Sequence, residues 1–285
     1  MRIQRALFVG FIIIVISCEA LEVADFSEYP VKIEPLELRE LEELNLRYHE
    51  ENGNHICSTL NEFGHTGFSR VLFPGDINPC LTRDIVRVEM KNPDTLITAA
   101  KKSLFRNQEY TLVSDTSRLA VKEVSPLFGC TICEGPDINS VPIEYKITFE
   151  SQQIGNTEVR NSNITVFLDS VGVNRIWGNW YPDFTTPGLI NIGYLEAQRM
   201  LIGWEINMVP YTGEDIVFTV NEEHLRNDPE FEYYPYILEG ILELRKTWRV
   251  EILYSAESFK GWNANIDVID GLLLAIEPIE SDQEF

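Results

Sequence analysis

Residues 234–254 read YPYILEGILELRKTWRVEILY, and the fold turns on how this stretch is read. Its even positions include Tyr234, Tyr236, Leu238, Leu242, Leu244, Lys246, Trp248, Val250, Ile252 and Tyr254. Its odd positions include Glu239, Glu243, Arg245, Thr247, Arg249 and Glu251. One face is apolar with a single charge and the other is mostly polar, the mark of a half-buried strand. In full extension the stretch reaches about 70 Å at ~3.3 Å per residue, while ordinary strands hold about 5–6 residues. It is therefore several strands in succession, one very long strand, or a helix. Ile237, Ile241, Leu244, Trp248 and Ile252 do fall near one helical face. Pro235, Gly240 and the β-branched and aromatic residues from Thr247 onward oppose a helix, so the strand reading is preferred.

Working outward, residues 143–150 alternate strictly. Ile143, Tyr145, Ile147 and Phe149 face one way, and Glu144, Lys146, Thr148 and Glu150 the other. Gly155-Asn156 marks a turn, and a second strand carries Ile164, Val166 and Leu168 on one side. Val159 has the opposite parity, which predicts a break near residues 161–163. Asn163-Ile164-Thr165 is an N-glycosylation sequon that puts Asn163 in solvent if used. Residues 177–184 form an aromatic loop. Trp177, Trp180, Tyr181 and Phe184 are the candidate surface contacts for a ligand or membrane, against the plainer reading of a loop folded over the core on its own rings. Residues 204–208 and 215–220 read as strands, and residues 221–232 as an acidic loop. Residues 255–262 read as a connector, and Asp270-Gly271 between apolar runs predicts a hairpin.

Before residue 141 the pattern is looser. Leu38, Leu41, Leu44 and Tyr48 predict a short helix over 36–48 within an acidic arm, 21–54. Residues 55–140 read as a loop-rich cap with a short helix over 95–105 and short strands at 85–90 and 110–113. At the start, Arg2 and Arg5 precede an apolar run over 6–16 too short to span a bilayer, which predicts a signal peptide cut after Ala20. Val15-Ile16-Ser17-Cys18 alternatively resembles a lipobox, with a lipid anchor on Cys18. Both readings export the protein. Residues 141–285 then form a long-stranded antiparallel β domain, and the whole is mainly β.

Four cysteines follow the cleavage site: Cys57, Cys80, Cys130 and Cys133. An even count in an exported chain predicts two disulfides tying the cap, with the pairing open. The spacing of Cys130 and Cys133 also suits a redox pair, but Glu134-Gly135-Pro136 does not continue as the helix such a site uses. A zinc site with His55 or His65 is a further alternative that the oxidising compartment disfavours.

The formal net charge of −22 excludes nucleic acid and anionic membrane surfaces as electrostatic partners. There is no Gly-x-Ser-x-Gly elbow, His-Glu-x-x-His, phosphate loop or dinucleotide fingerprint. Glu239 and Glu243 read as solvated charges rather than a glycosidase pair. The expectation is a non-enzymatic protein with no cofactor and no metal.

Three segments fall in an order that resembles aerolysin-like pore-forming proteins of the epsilon-toxin and mosquitocidal-toxin type. They are residues 156–169 with their asparagine-rich turn, Met208-Val209-Pro210-Tyr211-Thr212 leading into 216–220, and Tyr234-Pro235-Tyr236 running to Gly240. The resemblance covers about 141–254. It implies elongated antiparallel sheets, binding to a cell-surface protein or glycan, homo-oligomerisation and insertion of a hairpin from 143–169 into a membrane. Where that family carries a Ser/Thr-rich hairpin, this chain has Glu, Lys and Phe. The alternative is a non-lytic extracellular adhesion or matrix glycoprotein.

Overall fold

The computed structural model describes residues 29–68, 86–89, 91–130, 140–182, 184, 190–256 and 259–279. The expected signal peptide, Cys18, Cys80 and Cys133 lie outside these residues. The elements in chain order are β1 (Val31–Ile33), α1 (Leu38–Glu51), α2 (Pro93–Arg106), α3 (Gln108–Thr111), β2 (Val121–Cys130), β3 (Ser140–Phe149), β4 (Gln153–Ile154), β5 (Thr157–Val159), β6 (Ile164–Leu168) and β7 (Val173–Gly178). There follow α4 (Tyr194–Leu201), β8 (Glu205–Asn207), α5 (Val209–Thr212), β9 (Val217–Thr219), β10 (Glu230–Leu238), β11 (Ile241–Ala256), β12 (Phe259–Asp267) and β13 (Leu273–Pro278). The fold is mainly β, with antiparallel sheets and a substantial helical share.

The stretch 234–254 is a hairpin. β10 and β11 pair antiparallel from Glu230↔Arg249 to Leu238↔Ile241, and Glu239-Gly240 makes the two-residue turn. Glu239 sits at φ 52° and Gly240 at φ 85°. Positive φ at both central residues is the type I′ geometry that matches strand twist, and glycine meets it without a Cβ penalty. The long alternation was therefore two strands and a turn rather than one strand or a helix.

Two sheets carry the molecule. In the first, β2-β3-β6-β7 run antiparallel, and α2 packs on one face. Leu96, Ala100, Ser103 and Leu104 are the buried stripe of α2. Asn92 caps the helix by accepting from the Asp94 N–H at 2.8 Å, with Pro93 at the first turn. Leu41, Asn45 and Tyr48 of α1 join the same core. Because β2 pairs with β3 along its length, this sheet crosses residues 140 and 141, where the sequence pattern changes. The second sheet has the order β13-β12-β11-β10-β5-β4, with β1 added to β11. Helix α4 covers one face through Tyr194, Ala197 and Leu201 beside Trp248, Val250, Ile252 and Trp262. Each of these two sheets thus has a run of four antiparallel neighbours, β2-β3-β6-β7 and β10-β11-β12-β13, with a helix packed on one face. The hairpin β4–β5 leaves the first sheet between β3 and β6 and joins the second, pairing parallel with β10 at Glu232↔Glu158 and Tyr233↔Val159. The break foreseen at 161–163 is where the chain returns; Asn161 has φ 52°.

The polar face of β11 is not a solvent face. Glu243, Arg245 and Thr247 are buried with Glu232, Asn265 and Asp267. Arg245 bonds Glu243 at 2.7 Å, Asp267 at 3.1 Å and Asp270 at 2.8 Å, and Lys32 of β1 reaches Glu243 at 3.3 Å. Burial opposes the Arg245 charge, but bonds to Asp270 and Glu243 and the charge of Asp267 outweigh it and raise its pKa. Tyr29 accepts from the Lys246 N–H at 2.9 Å and donates to Asp267 at 2.8 Å. The sheet also curls on this side, since Arg160 and Tyr234 both reach Glu277 of β13 at 2.7 Å. On the apolar face the one charge, Lys246, lies over the Phe231 ring at 4.6 Å, and burial lowers its pKa.

Other expectations change. Residues 110–113 lie at the end of helical turn α3, with Leu112 at φ 59°, instead of forming a strand. Residues 86–89 have no regular structure. The supposed connector 255–262 is mostly the continuation of β11 and the start of β12.

Candidate ligand site

The aromatic loop 177–184 leaves β7 and crosses the junction of the two sheets. Gly178 allows the departure. Its φ is 117°, and a Cβ there would lie 2.2 Å from the Asn163 carbonyl oxygen. Asn163 itself is half-buried. Trp177 is exposed, with its indole N–H donating to the Phe68 carbonyl at 3.3 Å and its ring edge-on to Phe68. Tyr181 is buried, contrary to its expected place on the surface. The Gln152 side chain binds its backbone twice, accepting from the Tyr181 N–H at 2.9 Å and donating to its carbonyl at 2.8 Å. Burial raises the Tyr181 pKa. Phe184 meets Tyr233 edge-on at 5.2 Å, within a third apolar cluster shared with Phe63, Val159 and Leu244. The loop is thus folded over the core for most of its length.

Trp180 is the exception that organises a site. It is half-buried, packs against the first core, and lines two cavities. The larger has a volume of about 630 Å³. It opens between the start of β2, the end of β3 and the hairpin β4–β5. Its walls carry Asp115, Arg118, Lys122, Glu150, Gln153 and Glu158, with Ser114 and Ser151. Asp115 is fixed by accepting from the Ser117 hydroxyl at 2.7 Å and from the Ser117 N–H at 2.9 Å, bonds that hold its pKa down. Glu150 is placed by its N–H on the Ala120 carbonyl at 2.9 Å. The smaller cavity, about 230 Å³, lies on the other side of the loop. It is walled by Ile33, Phe63, His65, Thr66, Pro235, Ile237, Leu242 and Tyr181.

The smaller cavity is lined by His65 and Thr66, but His65 Nδ1 and Thr66 Oγ1 have no hydrogen-bond partner, so the two are not joined as a base and nucleophile. His55 contacts Asp169 at 3.0 Å, but this pair sits at the β6–β7 turn, where Asp169 also accepts from the Val171 N–H at 2.8 Å and the Gly172 N–H at 3.1 Å. Among the described residues no group of three or more His, Cys, Asp or Glu is placed to hold a metal ion. No helix of the described residues is long and apolar enough to cross a membrane. Glu239 occupies the hairpin turn and Glu243 is buried in an ion cluster, so the two do not form a carboxylate pair. Of the sequence-derived contacts, Trp177 is on the surface away from both cavities, Trp180 lines both, Tyr181 is buried behind the smaller one, and Phe184 packs in the third cluster. Sequence reading did not bring the charged walls together: Arg118, Lys122, Glu150 and Glu158 come from a 3-10 turn, β2, the residue after β3, and β5, with no common spacing.

No protein-family model and no curated protein matches this chain. Among solved structures, the Bacillus megaterium YpeB C-terminal domain aligns over 70% of this chain and 70% of its own, at 10% identity and a TM-score of 0.26. A likeness that slight carries no conclusion about fold or function.

Proposed function

We propose that this is an exported, non-enzymatic binding protein whose ligand is an uncharged glycan seated against Trp180. The observation that carries the reading is the cavity of about 630 Å³. Its size is that of a small-ligand site, and one aromatic face is set among convergent polar groups. An indole face suits the C–H face of a sugar ring, and carboxylate, amide and hydroxyl side chains suit its hydroxyls. Asp115, Glu150 and Glu158 stand against Arg118 and Lys122, so neither sign of charge dominates and a strongly charged ligand gains little. Two disulfides among Cys57, Cys80, Cys130 and Cys133 and a glycan on Asn163 belong to this reading.

The test is titration of the purified mature protein with neutral oligosaccharides, followed by tryptophan fluorescence. Trp180→Ala removes binding, and Gln153→Ala and Glu158→Gln, both at exposed positions, weaken it while the circular-dichroism spectrum stays unchanged. Unaltered affinity in all three variants would refute the site.

A second reading, the aerolysin-like pore former, is favoured by the 16 residues of β11, about 50 Å of strand. Against it, the hairpin expected to insert, 143–169, is divided between two sheets, and Ile147, Phe149, Ile164 and Val166 are fully buried. Dye release from liposomes of native membrane lipids, with a detergent-resistant oligomer, would favour the pore; intact liposomes favour the binding protein.

A further inference from the structure

The hairpin β4–β5 walls the larger cavity with Gln153, Gly155 and Glu158. Among the described residues its ladder with the second sheet is confined to Glu232↔Glu158 and Tyr233↔Val159. Just beyond, the Arg160 N–H donates to the Tyr233 carbonyl at 2.9 Å, and the Arg160 guanidinium donates to Glu277 of β13 at 2.7 Å. The first ladder position sets one carboxylate across from another. Glu158 is exposed in the cavity wall, while Glu232 is 5% exposed. Residues paired across neighbouring strands lie on one face about 5 Å apart, and like charges there oppose the pairing.

The groups around Glu232 come from four strands. From β12, the Asn265 amide donates to its carboxyl. From β11, a guanidinium nitrogen of Arg249 lies 3.9 Å away, and Arg249 is also paired with Glu230. Arg160, at the end of β5, acts on it with positive charge, and Glu277 of β13 and Glu158 of β5 act with negative charge. Burial raises the Glu232 pKa; the Asn265 bond and the Arg160 charge offset part of this, and Glu277 and Glu158 add to the rise. Once the proton leaves, a charge remains where water does not reach, with Glu158 across the ladder. Hydration relieves it most readily where the cover is least tied. That is the β5 flank, because β10 is joined to β11 from Glu230 to Leu238, and β11 to β12 from Thr247 to Ala256.

We infer that β4–β5 is a proton-dependent wall of the glycan site: with Glu232 neutral the hairpin is seated on β10 and Gln153 and Glu158 complete the cavity, and with Glu232 ionised the seat loosens and glycan affinity falls. The inference rests on the glycan reading above and adds its regulation. A glycan binds the seated form, which holds the proton. Affinity is therefore highest at acid pH and declines as pH rises through the raised folded value. The decline is about fivefold, the upper end for a like-charge pair across a ladder. Two measurements on the full mature protein test this. Amide exchange of residues 152–162, corrected for the intrinsic rate at each pH and taken relative to β12, reads the seat without a glycan. Titration with β-1,4-linked oligomers of glucose and of N-acetylglucosamine at the same pH values reads the site. In the parent, protection and affinity fall together as pH rises. In Glu232→Gln, which keeps the shape and the acceptor for Asn265, both stay at their acid-pH level. Glu158→Gln, read by exchange alone, shrinks the loss of protection. Protection that does not change with pH in the parent, or a pH dependence that survives in Glu232→Gln, overturns the gated wall while leaving glycan binding in place. Failure of both oligomers to bind at every pH overturns the glycan reading and the gated site with it.

Discussion

Replacing Arg245 with methionine removes the centre of the buried ion cluster while keeping much of the side-chain volume. The guanidinium is 8% exposed and bonds carboxylates of Glu243, Asp267 and Asp270, whose side chains are 3%, 0% and 50% exposed. Asp270 returns to water at little cost. Glu243 and Asp267 lose a counter-ion in a site that water does not reach. Breaking a buried pair from one side costs about 3–5 kcal/mol, because the remaining charge is left uncompensated. The lower end applies here. Glu243 keeps Lys32 at 3.3 Å, and Asp267 keeps the Tyr29 hydroxyl at 2.8 Å and the Ile269 N–H at 2.7 Å. The expected loss is ~3 kcal/mol, and for a chain of this size that lowers Tm by roughly 6–12 °C. Urea unfolding at pH 7 followed by tryptophan fluorescence reads it directly. Arg245→Lys falls between the parent and Arg245→Met, since one charge returns without the fork that reaches three carboxylates. A loss below about 1 kcal/mol for Arg245→Met would place the cluster among ordinary surface ion pairs and refute its assignment as an internal layer.

Three further outcomes follow from single positions. Gly178→Ala, with a Cβ placed 2.2 Å from the Asn163 carbonyl, costs about 3 kcal/mol in urea unfolding, whereas Gly240→Ala, with nothing within 4 Å and only its φ of 85° to oppose it, costs about 1 kcal/mol. Glu232 has its pKa raised by burial, with Asn265 and Arg160 partly offsetting, so the folded state holds its proton more tightly than the unfolded one. Stability from this group is present below the unfolded carboxylate pKa and is lost as pH rises through the raised folded value. Glu232→Gln flattens that part of the stability–pH curve, and an unchanged slope would count against the assignment. Asn92→Ala removes the cap of α2 and costs about 1 kcal/mol of thermal or urea stability with no effect on ligand affinity.

Strands and helices with one dominant face were legible in the sequence. The stripe Leu41, Tyr48 placed α1, the helix expected over 95–105 fell within two residues of the bounds of α2, and the alternation at 143–149 placed β3. The Gly155-Asn156 turn was legible too, but not that the hairpin it closes is lent to the other sheet, because β4 and β5 are too short to carry a pattern. Of the residues named from the sequence as contacts, Trp180 lines both cavities and Tyr181 the smaller one. The walls of the larger cavity come from a 3-10 turn, a strand start, a strand end and a hairpin, and such a set shares space without sharing spacing. The three-residue β1 carried no signal of its own, since its place is decided by the long partner β11.

The misreading of β11 has the most to say about function. Period-two alternation separates apolar from polar residues, but it does not say which side is wet. On this strand the polar side is sealed by the curl of the sheet and by the N-terminal segment through Tyr29 and Lys32, and the charges there are matched to one another. The other side is sealed by α4. A long strand that read as a surface is thus interior over most of its length, with Leu242 near its start bordering the smaller cavity. In the first sheet, too, one face is committed to α1 and α2. Between the two sheets lies the seam where β4–β5 crosses from one to the other and the loop 177–184 runs over it. The positive-φ Gly178, the double clamp of Gln152 on Tyr181 and the half-buried Trp180 all fall on that seam. If the proposed glycan site is right, recognition falls between the sheets, and substitutions at Trp180 and Gln153 lower binding without unfolding the chain, whereas substitutions in the buried part of β11 lower stability.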